Sequence, residues 1–455
     1  MTIFRGDLAH CPTLGRLDIL SDYCLGVNSE GFITHLAAAS SSELLASSPP
    51  HKITSIPAGS FLLPNFCDLH LHAPQFLYQG TGLDLPLMEW LDKYAYRAEE
   101  RIDADRALAR RVYTALAARL IEHGTGCVLL FGTIKPETNL LLAEVMQEAG
   151  IRAFVGKLSM DKSTREAYRE PGTSASLEAA RTFIHDCRAL TSRLPPHRRL
   201  VEPVLTPRFV PTSSDEQLRG LGEIAQEDPS LRIQSHLAEA QDQVNWVRSE
   251  RGREDIDVFD QAKLLTNRTV QAHCTFLTDP CLDRLHERGT AVAHCPLSNM
   301  YFSAEKAFPL REALDAGVKV GLGTDIAGGY SVDIMNSMRH AVSVSRIRQG
   351  IYHEADTGTS TSRRAIDWKE ALYLGTRGGA VALGLENAGR FAVGCSFDAQ
   401  QIKLIDPGSR QGVGSLDFFD IADTVTLTAE IVEKWWCIGD AQNRVQVWVQ
   451  GQKIG

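Results

Sequence analysis

His70 and His72 are separated by one residue at the end of an apolar run, FLLPNFCDLHLH (61–72). Two residues apart on a strand, both imidazoles project from the same face, with Asp68 behind them. Alone, such an H-x-H is more often a pair of histidines on a solvated strand. Three other strand-like runs change that balance, because they too end on metal-ligand types: His236 in LRIQSHLAE (231–239), His273 in TVQAHCTFL (269–277) and Asp325 in KVGLGTDIAGG (319–329). If these strands share a barrel, their ends converge on one face and bring four histidines and a carboxylate above a single core. Neutral imidazole and carboxylate suit Zn²⁺. Glu239, three residues past His236, reads in isolation as an exposed carboxylate at a helix start; beside an activated water it becomes a proton shuttle. A cation held there would bring the pKa of water to about 7. His273 or Asp325 could take the proton and steer attack, and Asp325 could combine that with ligation.

The strand before His236, LVEPVLTPRF (200–209), carries no Lys that could bridge two ions, and Glu202 lies near its beginning, at the wrong end; one ion is expected. His294, in AVAHCPLS (291–298), is placed either to line the pocket or to pack. His123 and His286 fall in helical patterns, and Met335, Met338 and Val342 have helical core spacing. The pair Trp435–Trp436 is expected in the core of a small sandwich or at a subunit contact.

The elements that must position these groups follow an α/β pattern. Besides the runs already named, CVLLFGT (127–133) and RAFVGKLSM (152–160) complete eight candidate strands, with helical stretches such as 104–123 between them. That predicts a (β/α)8 barrel over 61–384, whose catalytic face lies at the strand C-termini. A doubly wound sheet would want a phosphate-binding glycine fingerprint, and neither G-x-G-x-x-G nor G-x-x-x-x-G-K-[ST] occurs. Residues 1–60 and 385–455 read as short strands, including GFITHLA (31–37), DTVTLTAEIV (423–432) and RVQVWVQGQKI (444–454). Since short strands need partners, the two flanks are expected to pair into one small β-sandwich. DTGTSTSR (356–363) is expected to be a loop.

The 455 residues, 44% hydrophobic and 23% charged, exclude a disordered or collagen-like chain. A net charge of −9 argues against a nucleic-acid groove or an anionic membrane surface and for a small, roughly neutral ligand. No run is long and apolar enough to span a bilayer, and the first twenty residues, with Asp7 and Asp18, lack the apolar core of a signal peptide. The ten cysteines are scattered without a C-x-x-C pair, which points to a reducing, cytoplasmic compartment.

Several motifs together are narrower than the barrel pattern. PNFCDLHLHAPQF (64–76), GLDLPLMEWLDKY (82–94), TPRF (206–209), IQSHLAE (233–239), LLTNRTVQAHCTFL (264–277), ERGTAVAHCPLSN (287–299) and VGLGTDIAGGYS (320–331) resemble the guanine deaminases of the amidohydrolase superfamily. The resemblance runs from about residue 60 to about 390. It implies that His70, His72, His236 and Asp325 hold one Zn²⁺ per subunit, with iron as the alternative, and that Glu239, His273 and Asp325 are catalytic. It further implies that Gln75, Arg208 and Phe209, beside His236 and His273, bind the base, and that the protein is a homodimer converting guanine to xanthine and ammonia. Arg208 could donate to O6 and N7, Gln75 could donate and accept, and Phe209 could stack. The sequence departs from the family pattern at Asn65 and Cys274, where Gly is common, and at Leu297, where Asn is common. The H-x-E and P-C-x-x-C signature of the other zinc nucleobase deaminases is missing. Two rivals remain: an amidohydrolase for adenine-like, triazine or cyclic-amide substrates, separated by Gln75, Arg208 and Phe209, and a non-catalytic scaffold, disfavoured because every ligand and proton carrier is present.

Overall fold

Two hydrogen-bonded sheets, each of eight strands, organise the chain, and it passes from one to the other at Asn65. The computed structural model describes residues 1–303, 306–355, 363–419 and 426–455. The expected loop 356–363, apart from Arg363, and residues 423–425 of an expected strand therefore lie outside the described residues.

The N-terminal flank forms β1 (Thr2–Thr13), β2 (Arg16–Val27), β3 (Ile33–Ala38), β4 (Ile53–Ser55) and β5 (Ser60–Pro64). The barrel strands are β6 (Phe66–His72), β7 (Thr125–Phe131), β8 (Arg152–Ser159), β9 (Val201–Pro207), β10 (Arg232–Leu237), β11 (Thr269–His273), β12 (Ala291–His294) and β13 (Val320–Leu322). The C-terminal flank adds β14 (Ala399–Lys403), β15 (Arg444–Val449) and β16 (Gln452–Lys453).

As expected, the flanks pair: they form one mixed sheet in the order β16-β15-β14-β5-β1-β2-β3, with β4 on β1. The seam is β5, parallel to β1 and antiparallel to β14, with Leu62 opposite Gln401. Phe4, Leu8, Leu25, Phe397 and Trp448 form its core, Phe4 stacking on Phe397 at 4.5 Å. The β15–β16 hairpin turns through Gln450 and Gly451, both at positive φ (47° and 70°), the turn whose twist matches its flanking strands.

One expected strand is corrected. Residues 429–438 are helical, capped by Thr428 accepting from the Ile431 N–H. Ile431, Val432, Trp435 and Trp436 share a helical face, and the alternation read from 423 onward does not continue past Thr428. Both tryptophans accordingly pack into the large core shared with the barrel, Trp435 edge-on to Phe61 at 5.7 Å.

The barrel strands run parallel in sequence order from β6 to β13, as expected. Leu69, Leu129, Phe154, Val204, Val270, Ala272 and Ala293 fill the interior. Asp68 joins first strand to last: its carboxylate accepts from Thr324 N at 3.1 Å and Thr324 Oγ1 at 2.5 Å. Asp325 N donates to His70 O at 2.8 Å and His72 N to Ile326 O at 3.0 Å, completing the closure. The helix expected at 104–123 spans Arg106–Glu122, with Asp105 accepting from Ala107 N and Leu108 N at 2.9 Å. All ten cysteines are free thiols, and among the described residues no helix is long and apolar enough to cross a membrane.

Candidate active site

The candidate histidines lie in the last residues of β6, β10 and β11 and Asp325 just beyond β13, where the backbone leaves the extended conformation. His273, Cys274 and Asp325 have φ of 71°, 56° and 52°, in the left-handed region that ends an extended strand. Residues held there cluster at functional sites. The same geometry accounts for Gly being common at position 274, since Cys274 adopts a conformation easiest for glycine. On β6 an extra residue lies between Asp68 and Leu71 relative to Val128 and Leu130 of β7, a bulge directly below His70 and His72. Gly323 lets the last strand approach; a Cβ there would lie 2.7 Å from His70 Cβ.

His70, His72 and His236 each bring a ring nitrogen within 4.8 Å of the others, all buried. His72 Nε2 and His236 Nε2 are 3.0 Å apart, and Asp325 Oδ1 lies 3.0 Å from His70 Nε2 and 3.8 Å from His72 Nε2. Both His70 ring nitrogens and His72 Nδ1 are buried with no hydrogen-bond partner among the described residues. Buried imidazoles normally find partners, and a cation shared by His70, His72 and His236 would supply one through the single nitrogen each brings to the cluster. His236 donates from Nδ1 to Arg208 O at 2.7 Å, which leaves the Nε2 lone pair facing the cluster. Burial, reinforced by neighbouring imidazoles, lowers the His72 and His236 pKa values well below the usual range, keeping both neutral. Burial opposes charge on Asp325, but His70 and His273 hold its carboxyl below the ordinary carboxylate value. Three imidazole nitrogens and a carboxylate oxygen are donor types that suit a zinc site.

Glu239 and His273 stand beside this cluster. His273 Nε2 is 3.6 Å from Glu239 Oε2 and 3.9 Å from Asp325 Oδ2, while its Nδ1 bonds Asn299 Oδ1 at 2.8 Å. Burial, together with Asp325 and Asp242, pushes the Glu239 carboxyl well above its usual value. Its backbone is held at both ends: Gln243 Oε1 accepts from Glu239 N at 3.1 Å, and Ser303 Oγ donates to its carbonyl.

A cavity opens over these groups, lined by His72, His236, Glu239, Asp325, Gln75, Arg208, Phe209, Leu87, Trp90 and Leu91. Gln75, Arg208 and Phe209 are each at most 2% exposed, so the polar groups of Gln75 and Arg208 are committed to the cavity or to partners behind it.

Some contributors carried no sequence signal. Glu99, fully buried on helix Tyr96–Ala104, accepts from Gln75 Nε2 at 2.9 Å and Arg208 Nη1 at 2.6 Å. Phe131 ends β7 beneath the cluster, 4.6 to 4.8 Å from the rings of His236, His70 and His72. Leu87, Trp90 and Leu91, inside the 82–94 motif, form a cavity wall, and Asp242 pins it by accepting from Met88 N at 3.1 Å. His294 lies apart from the ligand cluster against Phe308, its pKa lowered to about 3 by burial. Leu297 is buried on helix Pro296–Phe302 and does not line the cavity. Glu202 sits at the start of β9, paired with Arg232.

A parallel barrel with a mixed sheet from both termini and a His/Asp cluster at the strand ends defines a hydrolase class, and the chain belongs to it: residues 61–453 match the Amidohydrolase family. Relatives that it matches over nearly its whole length include guanine deaminases. The chain is 36% identical over 463 residues to the guanine deaminase of Homo sapiens, covering 99% of this chain and 96% of the relative. It is 35% identical over 464 residues to a probable guanine deaminase of Schizosaccharomyces pombe, covering 99% and 83%. The crystal structure of guanine deaminase from C. acetobutylicum with bound guanine superimposes with a TM-score of 0.87 at 27% identity, covering all of both chains.

Proposed function

We propose that this protein hydrolyses guanine to xanthine and ammonia with one Zn²⁺ per subunit, iron being the alternative. The observation that carries the proposal is that one cavity is lined both by the His72, His236, Asp325 and Glu239 cluster and by Gln75, Arg208 and Phe209. Guanine is flat, neutral and rich in donors and acceptors, so a cavity with an apolar wall of Leu87, Trp90, Leu91 and Phe209 and polar groups at Gln75 and Arg208 suits it.

Arg208 and Gln75 hold the acceptor edge of the base, Phe209 packs against it, and Leu87, Trp90 and Leu91 keep bulk water out. His70, His72, His236 and Asp325 would hold the ion, which supplies Lewis acidity that brings the pKa of water to about 7. His273 and Asp325 orient the water and accept its proton. The water oxygen bonds to C2 as a proton from the Glu239 carboxyl reaches the adjacent ring nitrogen. The hydroxyl now on C2 gives its proton to the Glu239 carboxylate, which passes it to the 2-amino group. The C2–N bond breaks, ammonia leaves, C2=O completes xanthine, and the proton held by His273 and Asp325 returns to Glu239. A cytoplasmic homodimer completes the proposal, supported by ten free thiols and by the resemblance.

The test is to incubate the purified protein with guanine and follow xanthine and ammonia, with and without a chelator. Turnover that chelation abolishes and zinc restores is expected. A panel including adenine, triazines and cyclic amides separates the rival amidohydrolase activities; far faster hydrolysis of any of these overturns the guanine assignment.

A further inference from the structure

Glu99 touches no part of the cavity, yet both base-binding polar side chains converge on it. Each of its carboxylate oxygens takes one donor: Oε1 from Gln75 Nε2 at 2.9 Å, Oε2 from Arg208 Nη1 at 2.6 Å. On the other side of the Gln75 amide, Oε1 accepts from Ala327 N at 3.1 Å and from Tyr78 Oη at 3.3 Å. A carboxylate can only accept and a backbone N–H can only donate, so the Gln75 amide is locked in one orientation. Its oxygen has both lone pairs engaged, and what remains for a ligand is the second Nε2–H. Arg208 is donor-only, and its guanidinium carbon lies 4.9 Å from the Tyr96 ring centroid, which restrains its plane.

We propose that Glu99 is a specificity-determining positioning residue: by fixing Gln75 as a donor beside Arg208, it makes this wall of the cavity select a 6-oxopurine and reject a 6-aminopurine. The inference rests on the guanine reading and deepens it. Gln75 is otherwise an ambivalent residue, since rotating its amide by half a turn would present an oxygen and welcome an exocyclic amine. Glu99 forbids that rotation, because the turned amide would set oxygen against carboxylate and Nε2–H against the Ala327 N–H. A 6-amino group would then meet donors only and leave the buried N–H groups of Arg208 and Gln75 unpaired, the arrangement that gives the steepest discrimination.

The experiment compares kcat/KM of the metal-loaded protein and Glu99→Gln for guanine, 2,6-diaminopurine and 2-aminopurine, which carry oxygen, an amine and hydrogen at position 6. The native protein should prefer guanine to 2,6-diaminopurine by at least about a hundredfold. Glu99→Gln offers one acceptor and one donor where two acceptors stood. It should lower that preference at least about tenfold, chiefly through a raised KM for guanine, with 2-aminopurine changed far less. An equal fall for all three bases assigns Glu99 a merely structural role and overturns the proposal, as does an unchanged preference. If Glu99→Gln does not fold, Glu99→Asp, whose shorter carboxylate reaches only one of the two partners, must show the same loss of preference or the proposal fails. Turnover of other ring systems but of none of these purines overturns the guanine reading and this proposal together, whereas guanine turnover with unaltered selectivity overturns this proposal alone.

Discussion

Two imidazoles at the site, His236 and His273, have Nδ1 assigned by a partner outside the ligand cluster. His236 gives Nδ1–H to the Arg208 carbonyl, so the residue proposed to hold the base also fixes the tautomer of a candidate ligand. His273 is set the same way by Asn299. Among the described residues Glu239 has no such side-chain anchor; its backbone is fixed by Gln243 and Ser303, and its carboxyl is the proposed proton carrier. Glu239→Gln should therefore keep its metal and its fold but lose about 10²- to 10⁴-fold in kcat. Metal analysis beside steady-state xanthine production checks this, and normal turnover by the variant would remove Glu239 from the mechanism. His70, His72, His236, His273 and Asp325 were legible in the sequence because ligand types recur at strand ends, where a two-residue period and a barrel already say which way they face. Glu99, Asn299 and Phe131 were not: the first two lie on helices without a distinguishing spacing, and Phe131 is one apolar residue in an apolar strand.

At the scale of elements, strand ends were read too long. The run 319–329 was expected as one strand, but only Val320–Leu322 is extended. Beyond it Asp325 turns to positive φ, a turn that hydropathy does not encode and that an Asp tolerates better than most residues. Helix 429–438 was misread for the opposite reason, β-branched residues outweighing a Thr cap in a short apolar segment. Asp68 shows what the short last strand requires. With so little ladder available, it joins β6 to the segment after β13 through Thr324 N and Oγ1, and accepts from His70 N at 3.1 Å. Asp68→Ala would leave three buried donors unpaired and should cost about 3 kcal/mol. Urea denaturation read by fluorescence should show a lower midpoint at unchanged slope, accompanied by reduced zinc content. A variant as stable as the native protein and fully metallated would show that the closure does not depend on this carboxylate.

For the whole molecule, the chain begins and ends in one sheet that packs onto the barrel, which couples the termini to the catalytic domain. The pairing of the flanks was legible because short alternating strands cannot stand alone; their order was not, since β5 joins them from inside the segment assigned to the barrel. His10 on β1 is one of the groups that hold this arrangement. It is buried, and its Nδ1 accepts from Phe391 N at 3.1 Å, tying the N-terminal strand to the chain leaving the barrel. Burial lowers its pKa to about 4; Asp18, 3.9 Å from Nε2, opposes the shift, and Arg16 and Arg390 reinforce it. The folded state thus favours neutral imidazole, so the contribution is complete above the unfolded value near 6.5 and is lost as pH falls from there toward 4. Between pH 7 and pH 5 this one group should remove about 2 kcal/mol of stability. His10→Asn keeps an acceptor near the Phe391 N–H but cannot titrate. Its stability difference between the two pH values should be smaller than the native one by that amount. Equal acid sensitivity in the two proteins would place the loss on other groups and free the terminal sheet from this role.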